Sequence, residues 1–250
     1  MQTTMSPLPA LLDHNDLMRQ LQLRSRLHAE DLRGGPARPA PELSGNLQAL
    51  AAGHDDRYPA EAAPPSNEPL EAVLRRRASV RTYAPRPVAV SEIAAVVERA
   101  AAFDHDAWPD HDAGAELEFL VAARDVTGLP AALYLYSPAD GDFVRLADLP
   151  AGDAAEDLVL QLEFAHAPAI VIVCGPLAAS LDRHGEHGHR LLLTRAGAAA
   201  HTAWLTALDR GLAGSIFAGF LSSALKPLVP VDGYRSAQLL AFACGHPAGE

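Results

Sequence analysis

Residues 75–83 read Arg75-Arg76-Arg77-Ala78-Ser79-Val80-Arg81-Thr82-Tyr83. Three consecutive arginines lead into a serine and a fourth arginine. The run lies between an apolar, helix-like stretch (Leu70, Val73, Leu74) and a turn bracketed by Pro85 and Pro87. Guanidinium groups hold phosphate through planar, bidentate hydrogen bonds, and a serine hydroxyl adds a donor. In a chain of formal net charge -11, such a cluster points to a phosphate monoester held in one place. The competing reading is a solvated basic helix end, because cations also favour a helix C-terminus. On composition alone the solvated end is the stronger of the two.

The 250 residues suffice for one substantial core with an added arm, and 49% of them are hydrophobic. The acidic balance argues against nucleic acid or an anionic membrane as partner, since both need broad positive potential. No apolar run is long enough to span a bilayer, and no basic-then-apolar secretion signal opens the chain. Cys174 and Cys244 each sit in an apolar, strand-like run, which favours buried free thiols and a cytoplasmic protein.

Leu17, Leu21, Leu23 and Leu27 give residues 13–32 a helical period, closed by Gly34-Gly35-Pro36. Residues 33–69 are rich in Pro, Gly and Ala, as expected of a linker or wrapped arm. Residues 1–68 therefore read as a helix plus arm, and 69–250 as the main domain. Within it, helices are expected at 69–77, from Ser91 as N-cap, at 153–166 and at 189–210. A polar loop is expected over 104–114. Strands are expected at 117–123, 132–136, 143–146, 169–174 and 236–244. Helices and strands mix without regular alternation, so the class is α+β. Tyr134 and Tyr136 share one strand face and read as packing. Trp204 and His201 read as interface or core residues of the long helix. The stretch Asp182-Arg183-His184-Gly185-Glu186-His187-Gly188-His189 holds metal-ligating residue types without regular ligand spacing. It reads as an exposed polar loop over a site, and no metal is assigned.

The order of these blocks resembles the nitroreductase-like flavoproteins, and within them the SagB-type azoline dehydrogenases of ribosomal peptide natural-product biosynthesis. Arg77-Ala78-Ser79-Val80-Arg81 is similar to the Arg-x-Ser-x-Arg/Lys motif that grips the FMN phosphate. Gly128-Leu129 ahead of Tyr134-Leu135-Tyr136 resembles a second block. Ala213 to Phe220 resembles a flavin-facing loop, and Ala241 to Pro247 the closing strand. The resemblance implies a homodimer with an antiparallel-rich sheet flanked by helices, the helix from 189 at its interface, and FMN as cofactor. It implies cofactor contacts from Arg77, Ser79, Arg81, Gly214, Ser215 and Gly219, the glycines admitting backbone amides to the flavin. The implied activity is oxidation of azolines to azoles in a modified precursor peptide, within a complex that includes cyclodehydratase proteins.

Three departures bear on chemistry. The Pro-Ser-x-Gly of this family is replaced by Pro109-Asp110-His111-Asp112-Ala113-Gly114, and a Lys-Tyr pair by Arg183 and His184. The Gly-His and Gln-Asn features of the long helix become Gly197-Ala198 and His201-Thr202. Arginine is a poor proton acceptor, so the base falls to His184, with Arg183 beside it. Two alternatives stay open: a catalytically degenerate scaffold or peptide-binding subunit, and an NAD(P)H-dependent nitro- or quinone reductase.

Overall fold

The computed structural model describes residues 13–27, 47–60, 63, 64, 66, 68–108, 116–150 and 152–248. The N-terminal part holds α1 (His14–Arg24), α2 (Leu47–Ala51) and β1 (Arg57–Pro59). Next come α3 (Leu70–Arg76), β2 (Val88–Ala89), α4 (Val90–Ala107), β3 (Glu118–Ala123), β4 (Val126–Thr127), β5 (Ala132–Ser137) and β6 (Asp142–Ala147). The last part holds β7 (Ala169–Gly175), α5 (Leu177–His184), α6 (Gly188–Asp209), β8 (Ala213–Phe217), α7 (Ser222–Leu225) and β9 (Ala237–Gly245).

Seven strands form one antiparallel sheet in the order β1-β6-β5-β3-β7-β9-β8. Its central strands are continuous apolar runs because the sheet is covered on both faces. Side chains alternate, so Phe119, Val121, Val171 and Val173 enter one core with α4 and α6. Leu120, Ala122, Ile170 and Ile172 enter a second core with α2, Phe164, Phe217 and Val229. The expected α+β class, with an antiparallel sheet flanked by helices, is the one found. The paired tyrosines are core residues, and burial raises both phenols to about 12. Both cysteines are buried and free, and burial moves their thiols up.

Several expectations change. The helix expected over 13–32 ends at Arg24, where Ser25 turns inward and its hydroxyl donates to Leu21 O at 2.6 Å. Residues 28–32 lie outside the described residues. Ser91 is not the N-cap of α4. Ala89 is, and its amide donates to Glu92 at 3.1 Å. The loop at 104–114 begins four residues late, because α4 runs to Ala107. The Pro109–Gly114 departure lies outside the described residues. Residues 153–166 form two 3-10 turns, Gly152–Leu158 and Leu162–Phe164, instead of an α-helix. Backbone pairing decides this: Leu160 N–H donates to Gly219 O at 2.6 Å and Leu221 N–H to Leu158 O at 2.8 Å. Tertiary strand-like bonds there override helical propensity. The arm also contributes more than a linker would. Leu47 is 1% exposed, and β1 extends the sheet from before residue 69.

Candidate functional site

The arginine run divides where α3 ends. Arg75 pairs with Glu71 one turn back, and Arg76 pairs with Glu68 while donating to Leu208 O at 2.8 Å. Both serve α3 and its seat on α6. Arg77 caps the helix in an extended conformation, φ -61° and ψ 103°. The chain then lies outside β8: Ser79 bridges Gly214 in parallel, and Val80 N–H donates to Gly214 O at 3.0 Å. Tyr83 bridges Pro247, and Ala84 N–H donates to His246 O at 2.9 Å. The sequence blocks at 77–84, 213–217 and 241–247 thus meet at one sheet edge.

In an extended segment, side chains two apart share a face. Arg77, Ser79 and Arg81 follow that spacing, and all three are exposed. The Arg77 guanidinium lies 4.9 Å from the centroid of the Trp204 ring, and Arg81 pairs with Glu163 at 3.1 Å. Two exposed guanidiniums and an exposed hydroxyl are donor types that suit a phosphate, the anchoring group of FMN, although Arg81 is paired with Glu163 here. Trp204 and Glu163 as neighbours of this set were missed by sequence reasoning. Each lies more than 80 residues from its arginine, and no local pattern links them.

The glycines have reasons within the chain. A Cβ on Gly214 would stand 2.3 Å from Ala243 O and 2.7 Å from the Phe242 ring; on Gly219 it would meet Leu160 at 3.0 Å. Ser215 is buried. The stretch expected as a flavin-facing loop is, through Phe217, the edge strand β8, paired along its length with β9.

Arg183 and His184 end α5, which follows the far end of β7. Through Gly214, Cys244 and Ala169, the Ser79 segment sits at the other end of that strand. Seven residues of β7 separate the two ends by about 20 Å. One chain therefore does not bring its Arg183 and His184 to its own arginines. The loop expected at 182–189 is a tight helical junction, with a 3-10 turn at Gly185–His187. Gly188 is required there, because a Cβ would lie 2.1 Å from Ser180 O. The junction is clasped by α1: Arg24 pairs with Glu186 at 2.9 Å, and Arg190 Nε donates to Ser25 Oγ at 2.7 Å. Among the described residues no group of three or more side chains forms a metal site, and no helix is long and apolar enough to cross a membrane. Cavities of about 470 and 670 Å³ flank α4; neither is lined by Arg77, Ser79, Arg81, Arg183 or His184.

The chain is 26% identical over 170 residues to a nitroreductase-family protein of Methanocaldococcus jannaschii, covering 66% of this chain and 86% of that one. Among solved structures, one from Anabaena variabilis matches with a TM-score of 0.64 at 21% identity, over 77% of this chain. This chain spans 42% of that protein's length. A Ralstonia eutropha structure matches with a TM-score of 0.60 at 19% identity, covering 87% and 97% of the two chains. The Escherichia coli microcin synthetase McbBCD complex with truncated pro-MccB17 bound contains a chain that matches with a TM-score of 0.54 at 13% identity, covering 94% and 93%. With residues 74–246 matching the Nitroreductase family, whose members are generally FMN-dependent oxidoreductases, the chain belongs to that family.

Proposed function

We propose that this chain is an FMN-dependent dehydrogenase that acts as a homodimer and converts azolines to azoles in a ribosomally made peptide. The observation that carries the cofactor reading is the exposed Arg77-x-Ser79-x-Arg81 segment laid along the edge strand β8. FMN, when bound, supplies the two-electron redox chemistry. Arg77 and Arg81 would neutralise its phosphate, and Ser79 would donate a further hydrogen bond. Purified protein is expected to take up FMN and show flavin absorbance. R77A with R81A is expected to weaken FMN binding by tenfold or more, since charged hydrogen bonds are worth about 1.5–3 kcal/mol each. A protein that takes up no FMN defeats the reading.

The homodimer answers the separation of the two halves of the site. Gly197 lies mid-way along α6, and an added Cβ there would meet nothing within 4 Å among the described residues. A mid-helix glycine costs about 1 kcal/mol, and nothing in the packing of the described residues requires it. Leu193 and His201, one turn away on either side, are exposed. Antiparallel packing of two α6 helices about Gly197 would set the partner's Arg190 beside Trp204. The partner's His184 then comes to the Arg77 end, where its imidazole would accept the ring proton of the azoline. Sedimentation is expected to give the mass of a dimer, and G197R that of a monomer. A monomeric wild-type chain overturns this arrangement.

The peptide substrate is supported by the order of the sequence blocks. The fold likeness to a chain of the microcin synthetase complex, which holds a truncated pro-peptide, is consistent with it. Loss of two hydrogens per ring from a thiazoline peptide, read by mass spectrometry, is the decisive product test. A scaffold role is favoured instead by the replaced Lys-Tyr pair, and it requires that H184A leave the pathway's activity intact.

A further inference from the structure

Trp204 is 6% exposed, and its indole N–H is buried without a hydrogen-bond partner among the described residues. Buried tryptophans usually find such a partner, and an orphaned donor costs stability. Leucine or phenylalanine would fill apolar space on α6 without that cost. What only the indole offers here is the strongest aromatic face for a cation. Arg77 lies over that face at 4.9 Å, and His201 meets the ring edge-on at 6.3 Å.

The Arg77 backbone is fixed on both sides. Its own amide donates to Leu74 O at 3.2 Å, and three residues on, Val80 is tied to Gly214. What remains free is a long side chain with several rotatable bonds. A guanidinium lying over an aromatic ring keeps its in-plane N–H edges available, and those edges are the ones that meet phosphate oxygens.

We propose that Trp204 is the positioning residue of the phosphate grip: its ring holds the Arg77 guanidinium ready for the phosphate of FMN. The proposal rests on the FMN reading above and extends it to a residue outside the motif.

The test is titration of wild type, W204F and W204L with FMN and with riboflavin, which lacks the phosphate, alongside thermal unfolding of the same flavin-free proteins. W204L is expected to weaken FMN binding about tenfold and W204F about threefold, in the order of their cation–ring attraction. Riboflavin binding is expected to stay unchanged, and the unfolding temperature to hold in W204F, where the orphaned donor is gone and little volume is lost, while W204L falls by the cavity it leaves. In an R77A background, W204L is expected to add nothing. Unchanged FMN affinity in W204L overturns the proposal. So does equal weakening toward riboflavin, or a W204F loss that follows a falling unfolding temperature, because either marks plain packing. A wild-type chain that binds neither flavin refutes the cofactor reading itself, and the role of Trp204 falls with it.

Discussion

Glu118 begins a strand covered on both faces, is 6% exposed, and accepts the Gln48 amide of α2 at 2.9 Å. Burial raises its carboxyl above the usual range, although the amides of Gln48 and Leu47 pull the other way. The folded chain therefore holds this proton more tightly than the unfolded chain. Its contribution to stability grows as pH falls through the raised value toward 4.5, and is lost as pH rises. In urea titrations, wild type is expected to lose stability relative to E118Q as pH rises from about 4.5 through the raised value. A difference that does not change with pH would contradict this. At this scale the sequence was half legible. The Arg-x-Ser-x-Arg spacing separated Arg77, Ser79 and Arg81 from Arg75 and Arg76, because alternation in an extended segment is local. The roles of Glu118 and Trp204 depend on partners far along the chain, and no spacing announces them.

The two long helices of one face are joined by a charge pair. Arg195 of α6 donates to Asp104 of α4 through Nε at 2.9 Å and a terminal nitrogen at 2.6 Å, with both side chains less than a tenth exposed. Removing one partner of such a pair strands a buried charge. R195A is expected to lose about 3–5 kcal/mol of unfolding free energy, while R195M with D104L stays near wild type. Equal losses from both variants would show that shape, and not charge, is what matters there. Elements with an internal signal were readable: β3, β7 and β9 as apolar runs, α6 as a long helical period. Those made by pairing were not. β1 is three residues long and contains Pro59, and residues 158–160 follow Gly219–Leu221 instead of their own helical preference. The site's second half was equally opaque, because a separation of two sheet ends is a property of topology.

For the whole molecule, the class and the antiparallel sheet were legible, since five of the seven described sheet strands, β3, β5, β6, β7 and β9, carry their own pattern. The share of the N-terminal arm in the sheet was not, because its few ordered contacts are made with distant strands. The sheet has two outer strands. β1 ends in Pro59, a residue that discourages further strand pairing. β8 is shielded by Ser79 and Val80 through one backbone hydrogen bond to Gly214. The stretch proposed to hold a phosphate is thus also the guard rail of an open strand. Occupancy by cofactor would hold that guard in place by mass action. A chain starved of flavin would bare a row of unsatisfied amides and carbonyls, and its failure would be clumping as much as lost turnover. Flavin supply would then govern how much of this protein persists in usable form.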